Sequence, residues 1–135
     1  MTPSGILEAF GTRLLTMSGV PSVVNWPNED EGTTKPYLQV VHVPVSRLDD
    51  TIDAIGAIEL GQFTVNVVVE AGRYSTQADD LASAILDHFP KGLRLTQAGD
   101  GVLLIYRPAE LGSPFRDNLG GWIQPVRVHY QTEAL

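Results

Sequence analysis

Three histidines, His42, His88 and His129, are the residues of this sequence best suited to metal chemistry. Neutral imidazole is a common metal ligand, and zinc accepts three of them together with a water molecule. Their spacing matches no ligand motif, because two of them fall within predicted strands and His88 lies near a predicted helix end. The chain has no cysteine, which excludes thiolate metal sites and disulfides and fits a reducing compartment. The sequence therefore predicts no bound metal.

A short acidic segment places Asp49, Asp50 and Asp53 before Gly56. A calcium loop needs oxygen ligands at alternate positions, a glycine at the sixth and a bidentate glutamate at the twelfth, and this segment does not match that register. Carboxylates that do acid–base chemistry need surroundings that separate their pKa values, whereas these lie in a predicted loop exposed to water. We interpret the segment as the solvated tip of a hairpin.

Nucleophilic and phosphate-binding motifs are also missing. No serine stands in a G-x-S-x-G elbow, and each serine has a capping or turn explanation. The glycines of Gly99-Asp-Gly101 predict a hairpin turn, and Gly120-Gly121 precedes a predicted strand where a phosphate site would need a helix. The sequence therefore predicts no catalytic residue and no cofactor.

Basic and aromatic residues are interleaved in the C-terminal part of the chain. This pattern can bind single-stranded nucleic acid by stacking, but arginine and aromatic side chains are also enriched in protein–protein interfaces. The formal net charge of −7 repels a phosphate backbone. We therefore interpret the pattern as a protein interface and expect no specific nucleic-acid partner. The residues are Arg107, Arg116 and Arg127 with Tyr106, Phe115 and Trp122.

Two amphipathic helices and several strands must position these residues. The clearest pattern runs from Gly61 to Phe89, where a strictly alternating strand passes through a turn at Ala71-Gly72 into a helix that begins near Ser75 or Thr76. The pattern predicts one shared core, built from Phe63, Val65, Val67, Val69, Leu81, Ile85 and Phe89. A further helix is predicted from about Ser4 to Ser18, with Ile6, Phe10, Leu14 and Met17 on one stripe.

The strand pattern predicts an α+β fold, with a mainly antiparallel, mixed sheet and two helices packed on one of its faces. At 135 residues the chain has the size of a single domain, residues 1–135. Both faces of the second strand are largely apolar, so we expect it to be covered on both sides, with an edge or bulge at Pro44. The predicted strands are Val23 to Trp26, Tyr37 to Val45, Ala57 to Glu70, Leu93 to Thr96, Val102 to Tyr106 and Trp122 to Gln131.

No signal peptide and no apolar run of membrane-spanning length is present, so we expect a soluble protein with no membrane partner. The order of the elements resembles that of small phage proteins of the tail-terminator-like group. The resemblance spans nearly the whole chain and rests on a glycine after a central strand, on the helix closing with Ile85-Leu-Asp-His-Phe-Pro90, and on the aromatic-rich strand Trp122-Ile-Gln-Pro-Val-Arg-Val-His-Tyr130.

The resemblance implies a structural, non-enzymatic protein of a long-tailed phage or prophage. Such proteins form a ring, commonly six-fold, on the last ring of the tail tube at its head-proximal end. They stop tube polymerisation and offer a surface to the head connector. The implied partners are thus the protein itself, the tail tube protein and the head connector protein, assembled in the cytoplasm of a bacterial host.

Two alternatives stay open at this stage. A head-completion or head–tail joining protein would share the size, the acidity and the lack of catalytic motifs. A small soluble ligand-binding domain would need a pocket with convergent polar groups. For the assembly role we expect contacts from the hairpin tip and from the loop Gly112 to Gly121. The candidate interface residues are Arg47, Asp49, Asp50, Asp53, Phe115, Arg116 and Asp117.

Overall fold

The computed structural model describes residues 3–27, 35–48, 58–72, 76–97, 101–118 and 120–133. The two helices are α1 (Pro3–Leu15) and α2 (Thr76–His88). The strands are β1 (Val23–Asn25), β2 (Tyr37–Leu48), β3 (Ile58–Glu70), β4 (Arg94–Gln97), β5 (Gly101–Leu104), β6 (Glu110–Leu111), β7 (Phe115–Arg116) and β8 (Gly121–Glu133).

All the strands belong to one mixed sheet, in the order β1-β2-β3-β8-β5-β4. Only the described pair β1 and β2 is parallel, and the other pairs are antiparallel. The strand β8 pairs with β3 along one edge and with β5, β6 and β7 in turn along the other. This confirms an α+β domain with a mainly antiparallel, mixed sheet. That both helices lie on one face of the sheet stays a prediction.

The core lies against the sheet face that carries Phe63. Alternate β3 side chains are buried there, as the sequence pattern predicts, because successive residues of a strand point to opposite faces. The antiparallel register places buried residues of β2 and β8 beside them on the same face. The buried side chains of this layer are Leu38, Val40, Phe63, Val65, Val67, Val69, Val126, Val128 and Tyr130.

Both helices contribute buried apolar residues to one cluster with residues of the sheet. In α1 the residues Ile6, Phe10, Leu14 and Met17 are buried, although the helix ends at Leu15 and not at Ser18. In α2 the stripe consists of Ala78, Ala82 and Ile85, followed by Phe89. The Phe10 ring stacks on the Phe63 ring at 4.0 Å and on the Phe89 ring at 4.7 Å. Aromatic stacking thus joins both helices to the central strand.

The strand β2 differs from its prediction in two ways. It runs on to Leu48, and its register with β3 shifts between Pro44 and Ser46, which agrees with the edge or bulge expected where proline lacks a ladder donor. The expectation of cover on both sides is wrong, because Val41 and Val43 are 38% and 39% exposed. An apolar sequence pattern indicates that a strand face is shielded from water, but it does not indicate which molecule covers that face.

Candidate assembly surface

The three histidines lie in three separate surroundings. His42 forms a hydrogen bond with Tyr130, His88 with the Arg13 carbonyl near the end of α1, and His129 with Glu110. In the described parts of the chain, no group of three or more His, Cys, Asp or Glu side chains could hold a metal ion. Each histidine therefore needs its own structural explanation.

His42 and Tyr130 form a polar pair beside the Phe63 ring. The His42 ring stacks on Phe63 with centroids 4.5 Å apart, and its Nε2 lies 2.6 Å from the Tyr130 hydroxyl oxygen. Burial lowers the pKa of His42, and the charge of Glu59 opposes that shift. Burial, helped by Glu59, raises the pKa of Tyr130 to about 12. With both groups neutral, the Tyr130 hydroxyl donates to Nε2, so each group has a hydrogen-bond partner in this partly buried position.

Gly61 makes room for this pair. It lies opposite Tyr130 in the ladder between β3 and β8. A Cβ at this position would meet the Tyr130 hydroxyl and would lie 2.6 Å from Tyr130 Cζ. Atoms cannot approach so closely, so only glycine lets the Tyr130 ring lie flat over the strand. The sequence pattern marks Gly61 only as the start of the alternating stretch within the predicted strand and does not reveal this contact.

Arg13 and His88 tie the C-terminal ends of the two helices together. The Arg13 guanidinium donates to the backbone carbonyl of His88 from Nε at 3.1 Å and from Nη2 at 3.0 Å. In return, His88 Nε2 donates to the Arg13 carbonyl at 2.7 Å, and the Thr16 hydroxyl donates to the same oxygen at 2.6 Å. The last carbonyls of a helix have no partner within that helix. Each helix thus caps the other.

The sheet face opposite to Phe63, here called the outer face, combines apolar and charged side chains. Exposed Val41 and Val43 of β2 begin two rows that cross β3 and reach β8 at Arg127 and His129. Residues that are paired across neighbouring strands share a face. The rows are Val41, Thr64 and Arg127, and Val43, Gln62 and His129.

A carboxylate organises the charged end of the outer face. Glu110 of β6 accepts a hydrogen bond from His129 Nε2 at 2.9 Å and lies 3.5 Å from Arg107 Nη2. The hydrogen bond from His129 lowers the pKa of Glu110, and the charges of His129, Arg107 and Arg127 add to the effect. One carboxylate therefore lies among three basic side chains on a protein whose net charge is negative.

Phe115 continues an apolar row of the outer face. Register pairs join Tyr37, Val68, Ile123 and Phe115 across four strands. Val68, which breaks the alternation of the β3 sequence, is fully buried, whereas Phe115 at the end of the row is 49% exposed. An exposed phenylalanine that extends a buried row is well suited to a contact with another molecule.

The other candidate interface residues fall into three groups. Arg116 is exposed on β7, but Asp117 is half-buried and holds a turn, since its Oδ1 accepts from the Gly121 N–H at 2.6 Å. Arg47 lies in β2 opposite Glu59. The tip residues Asp49, Asp50 and Asp53 lie outside the described residues. Phe115 and Arg116 are thus both exposed but lie in register rows on opposite sheet faces, and Asp117 supports their loop.

Sequence reasoning missed the exposed apolar residues Val41, Val43 and Leu111, of which Leu111 is 51% exposed. It also missed Gln124, whose buried amide donates to the carbonyls of Gly112 at 2.7 Å and Pro125 at 3.0 Å. The apolar pattern on both faces of β2 was a usable signal for the valines. No local pattern indicates that a glutamine will fix a loop twelve residues away.

Two open hollows lie beside the helices. One, of about 500 Å³, is lined by Pro21, Pro36 and Leu81 together with the first residues of α2. The other, of about 280 Å³, separates α1 from β4.

Each described helix has 13 residues, and neither is long and apolar enough to cross a membrane.

A single α+β domain that leaves the apolar side chains Val41, Val43 and Phe115 exposed on one sheet face is typical of a structural subunit that joins an assembly. The family model of the phage tail terminator protein matches residues 5–130. The chain belongs to this family of structural phage tail proteins.

Solved structures share this fold. One chain that carries no descriptive name is 24% identical and superposes with a TM-score of 0.80, covering 100% of this chain and 98% of its own length. A chain from the structure described as "Virion of native gene transfer agent (GTA) particle" is 14% identical, with a TM-score of 0.69, and covers 96% of this chain and 95% of its own length. No curated protein matches the sequence.

Proposed function

We propose that the protein caps the tail tube as a ring, ends tail polymerisation and joins the tail to the head. The observation that carries this proposal is the family match over residues 5–130. The likeness of the fold to a chain from a gene transfer agent virion gives further support. On this proposal the protein acts in the virion by binding alone and carries out no catalytic step.

The proposed partners are further copies of the chain, arranged as a six-fold ring, the tail tube protein and the head connector protein. A ring needs a heterologous interface, in which two different surfaces of the subunit meet and the rotation closes. We assign contacts with these partners to the exposed pair Phe115 and Arg116 and to the hairpin tip from Arg47 to Asp53. Asp117 acts indirectly, because it holds the turn behind β7.

Deletion of the gene from its phage or prophage tests the role. We expect tubes of irregular, excessive length without heads, visible by negative-stain electron microscopy, and rescue by the wild-type gene on a plasmid. Purified protein added to isolated headless tubes should form a ring at one tube end. Tails of normal length that lack only heads would support a head-completion role instead. Normal tails with heads attached would contradict both roles.

A further inference from the structure

A groove beside the last strand of the sheet has the shape of a site for an extended chain segment. Among the described strands, β4 pairs only with β5, so its other edge is open. The groove of about 280 Å³ is lined on one side by all four residues of β4. The other side is lined by Ala9, Thr12, Arg13 and Thr16. Their spacing of three and four residues places them along one side of α1 and the turn that follows it. Strand and helix therefore run along the groove together.

The open edge of β4 offers backbone hydrogen-bonding groups. The Ile105 N–H donates to the Leu93 carbonyl at 2.9 Å, so this carbonyl faces the β5 side, although the Leu93 N–H itself donates to the Pro90 carbonyl. Hydrogen-bonded pairs alternate along an antiparallel ladder, which directs the N–H and C=O groups of Arg94 and Thr96 away from β5. Such an edge can accept an added strand from another chain.

The charge of the groove selects the kind of segment. Its lining residues include Arg13 and Arg94 and no acidic residue, on a chain with a net charge of −7. Arg13 directs two N–H groups to the uncharged carbonyl of His88. Arg94 pairs with Glu133 at 3.2 Å, but its side chain is largely exposed and the pair is well screened by water. An acidic, extended segment fits this groove.

We propose that the groove receives the acidic segment 28–34 of a second copy of this chain as an added strand. The segment reads Asn28-Glu-Asp-Glu-Gly-Thr-Thr and joins β1 to β2, at the opposite end of the sheet from β4. Its seven residues can extend over about 23 Å, longer than the four-residue β4. A contact between opposite sheet ends is heterologous and can close a ring. The inference thus rests on the proposed ring and adds to its contacts one pair of surfaces between neighbouring subunits.

A peptide of residues 27–36 added to the ¹⁵N-labelled protein tests the contact directly. We expect slower hydrogen exchange at the amides of Arg94 and Thr96. A peptide carrying Glu29→Gln, Asp30→Asn and Glu31→Gln should bind about tenfold more weakly, because it lacks the charges that face Arg13 and Arg94. Unchanged exchange at both amides overturns the proposal. Protection by a peptide of residues 48–57 in place of 27–36 overturns the choice of segment.

A backbone variant separates strand addition from side-chain contact. Thr96→Pro removes one N–H from the open edge without touching the ladder to β5, and Thr96→Val keeps it. We expect Thr96→Pro to reduce the yield of rings on tube ends about tenfold and Thr96→Val to leave it unchanged. Arg94→Glu serves as the second variant if melting shows that Thr96→Pro does not fold. Rings of wild-type yield from Thr96→Pro and Arg94→Glu overturn this inference and leave the proposed function standing, whereas a wild-type chain that forms no ring overturns both.

Discussion

His42 and Tyr130 make the stability of the core depend on pH. Burial holds the pKa of His42 below its ordinary value, so the unfolded chain binds a proton more readily than the folded one. The contribution of a neutral His42 is therefore complete above about pH 6.5 and is lost as the pH falls below that value. The contribution of Tyr130 to stability is lost at high pH instead. Its pKa of about 12 means that its contribution is lost as the pH rises from about 10.

We expect the free energy of unfolding to fall between pH 7.5 and pH 5, and a large part of this fall to disappear in His42→Gln. Urea denaturation of both proteins at both pH values measures the difference. Other groups titrate equally in the two proteins, so the comparison isolates His42. An identical fall in wild type and variant would show that His42 is accessible to protons in the folded state.

Gly61→Ala tests the close approach of Tyr130. The added methyl group must displace the Tyr130 ring, since it would lie 2.6 Å from Cζ, and overpacking of this kind costs about 1–3 kcal/mol. The control is the same substitution in a Tyr130→Phe background, where the hydroxyl is absent and the cost should be smaller. Equal urea midpoints for Gly61→Ala and wild type would contradict the packing at this position.

At the scale of single elements, α2 contributes to the core through one narrow stripe. Ile85 is fully buried, whereas Leu81 only packs against the core from a half-buried position. We expect Ile85→Ala to lower the free energy of unfolding by about 2–5 kcal/mol and Leu81→Ala to cost less. Ser83→Ala on the exposed side should stay within about 0.5 kcal/mol. A larger loss at Leu81 than at Ile85, measured by urea denaturation, would place the stripe differently.

The mutual capping of α1 and α2 is a second element-scale feature. Removing the guanidinium by Arg13→Ala leaves the His88 carbonyl without this charged donor, at a cost of about 1.5–3 kcal/mol. Lys91→Ala removes one exposed positive charge just beyond the same helix and is the matched control, with an expected change within about 0.5 kcal/mol. Thermal melting and urea denaturation both measure the effect. Similar losses in the two variants would indicate a general effect of charge.

The sequence could predict these elements because their signals are local. Alternation placed Phe63, Val65 and Val67 on the buried face, and helical spacing placed Ile6 and Phe10 there as well. Other features depend on residues far apart in the chain, and no local pattern records them. The approach of Gly61 to Tyr130 and the capping between Arg13 and His88 belong to this second kind.

At the scale of the whole molecule, a substitution on the proposed assembly surface should impair assembly without lowering the stability of the fold. Arg116 is exposed on β7, so Arg116→Glu should change the free energy of unfolding by no more than about 0.5 kcal/mol. The same variant should impair ring formation and tail completion, because reversed charge at a contact sets like charges against each other. Electron microscopy of tails from a complemented deletion strain measures the effect.

Lys91→Glu reverses the same charge at another exposed position and is the control for Arg116→Glu. Tails of normal length with heads attached in both variants would remove Arg116 from the assembly surface. The sequence predicts Phe115 and Arg116 as contact residues through composition alone. The apolar pattern on both faces of β2 marks Val41 and Val43, but it does not show that they are exposed, because burial by a partner and burial by the fold require the same apolar residues.

The central place of β8 also sets an order for biosynthesis. This strand pairs with β3 on one side and with three short strands on the other, yet the ribosome makes it after all of them. Until it emerges, the apolar edge of β3 has no partner on that side and is open to other chains. We expect a chain truncated before Gly121 to aggregate in the cell. Co-expression of the peptide 121–133 should restore its solubility. Subunits that cannot complete this strand are thereby kept out of the growing particle.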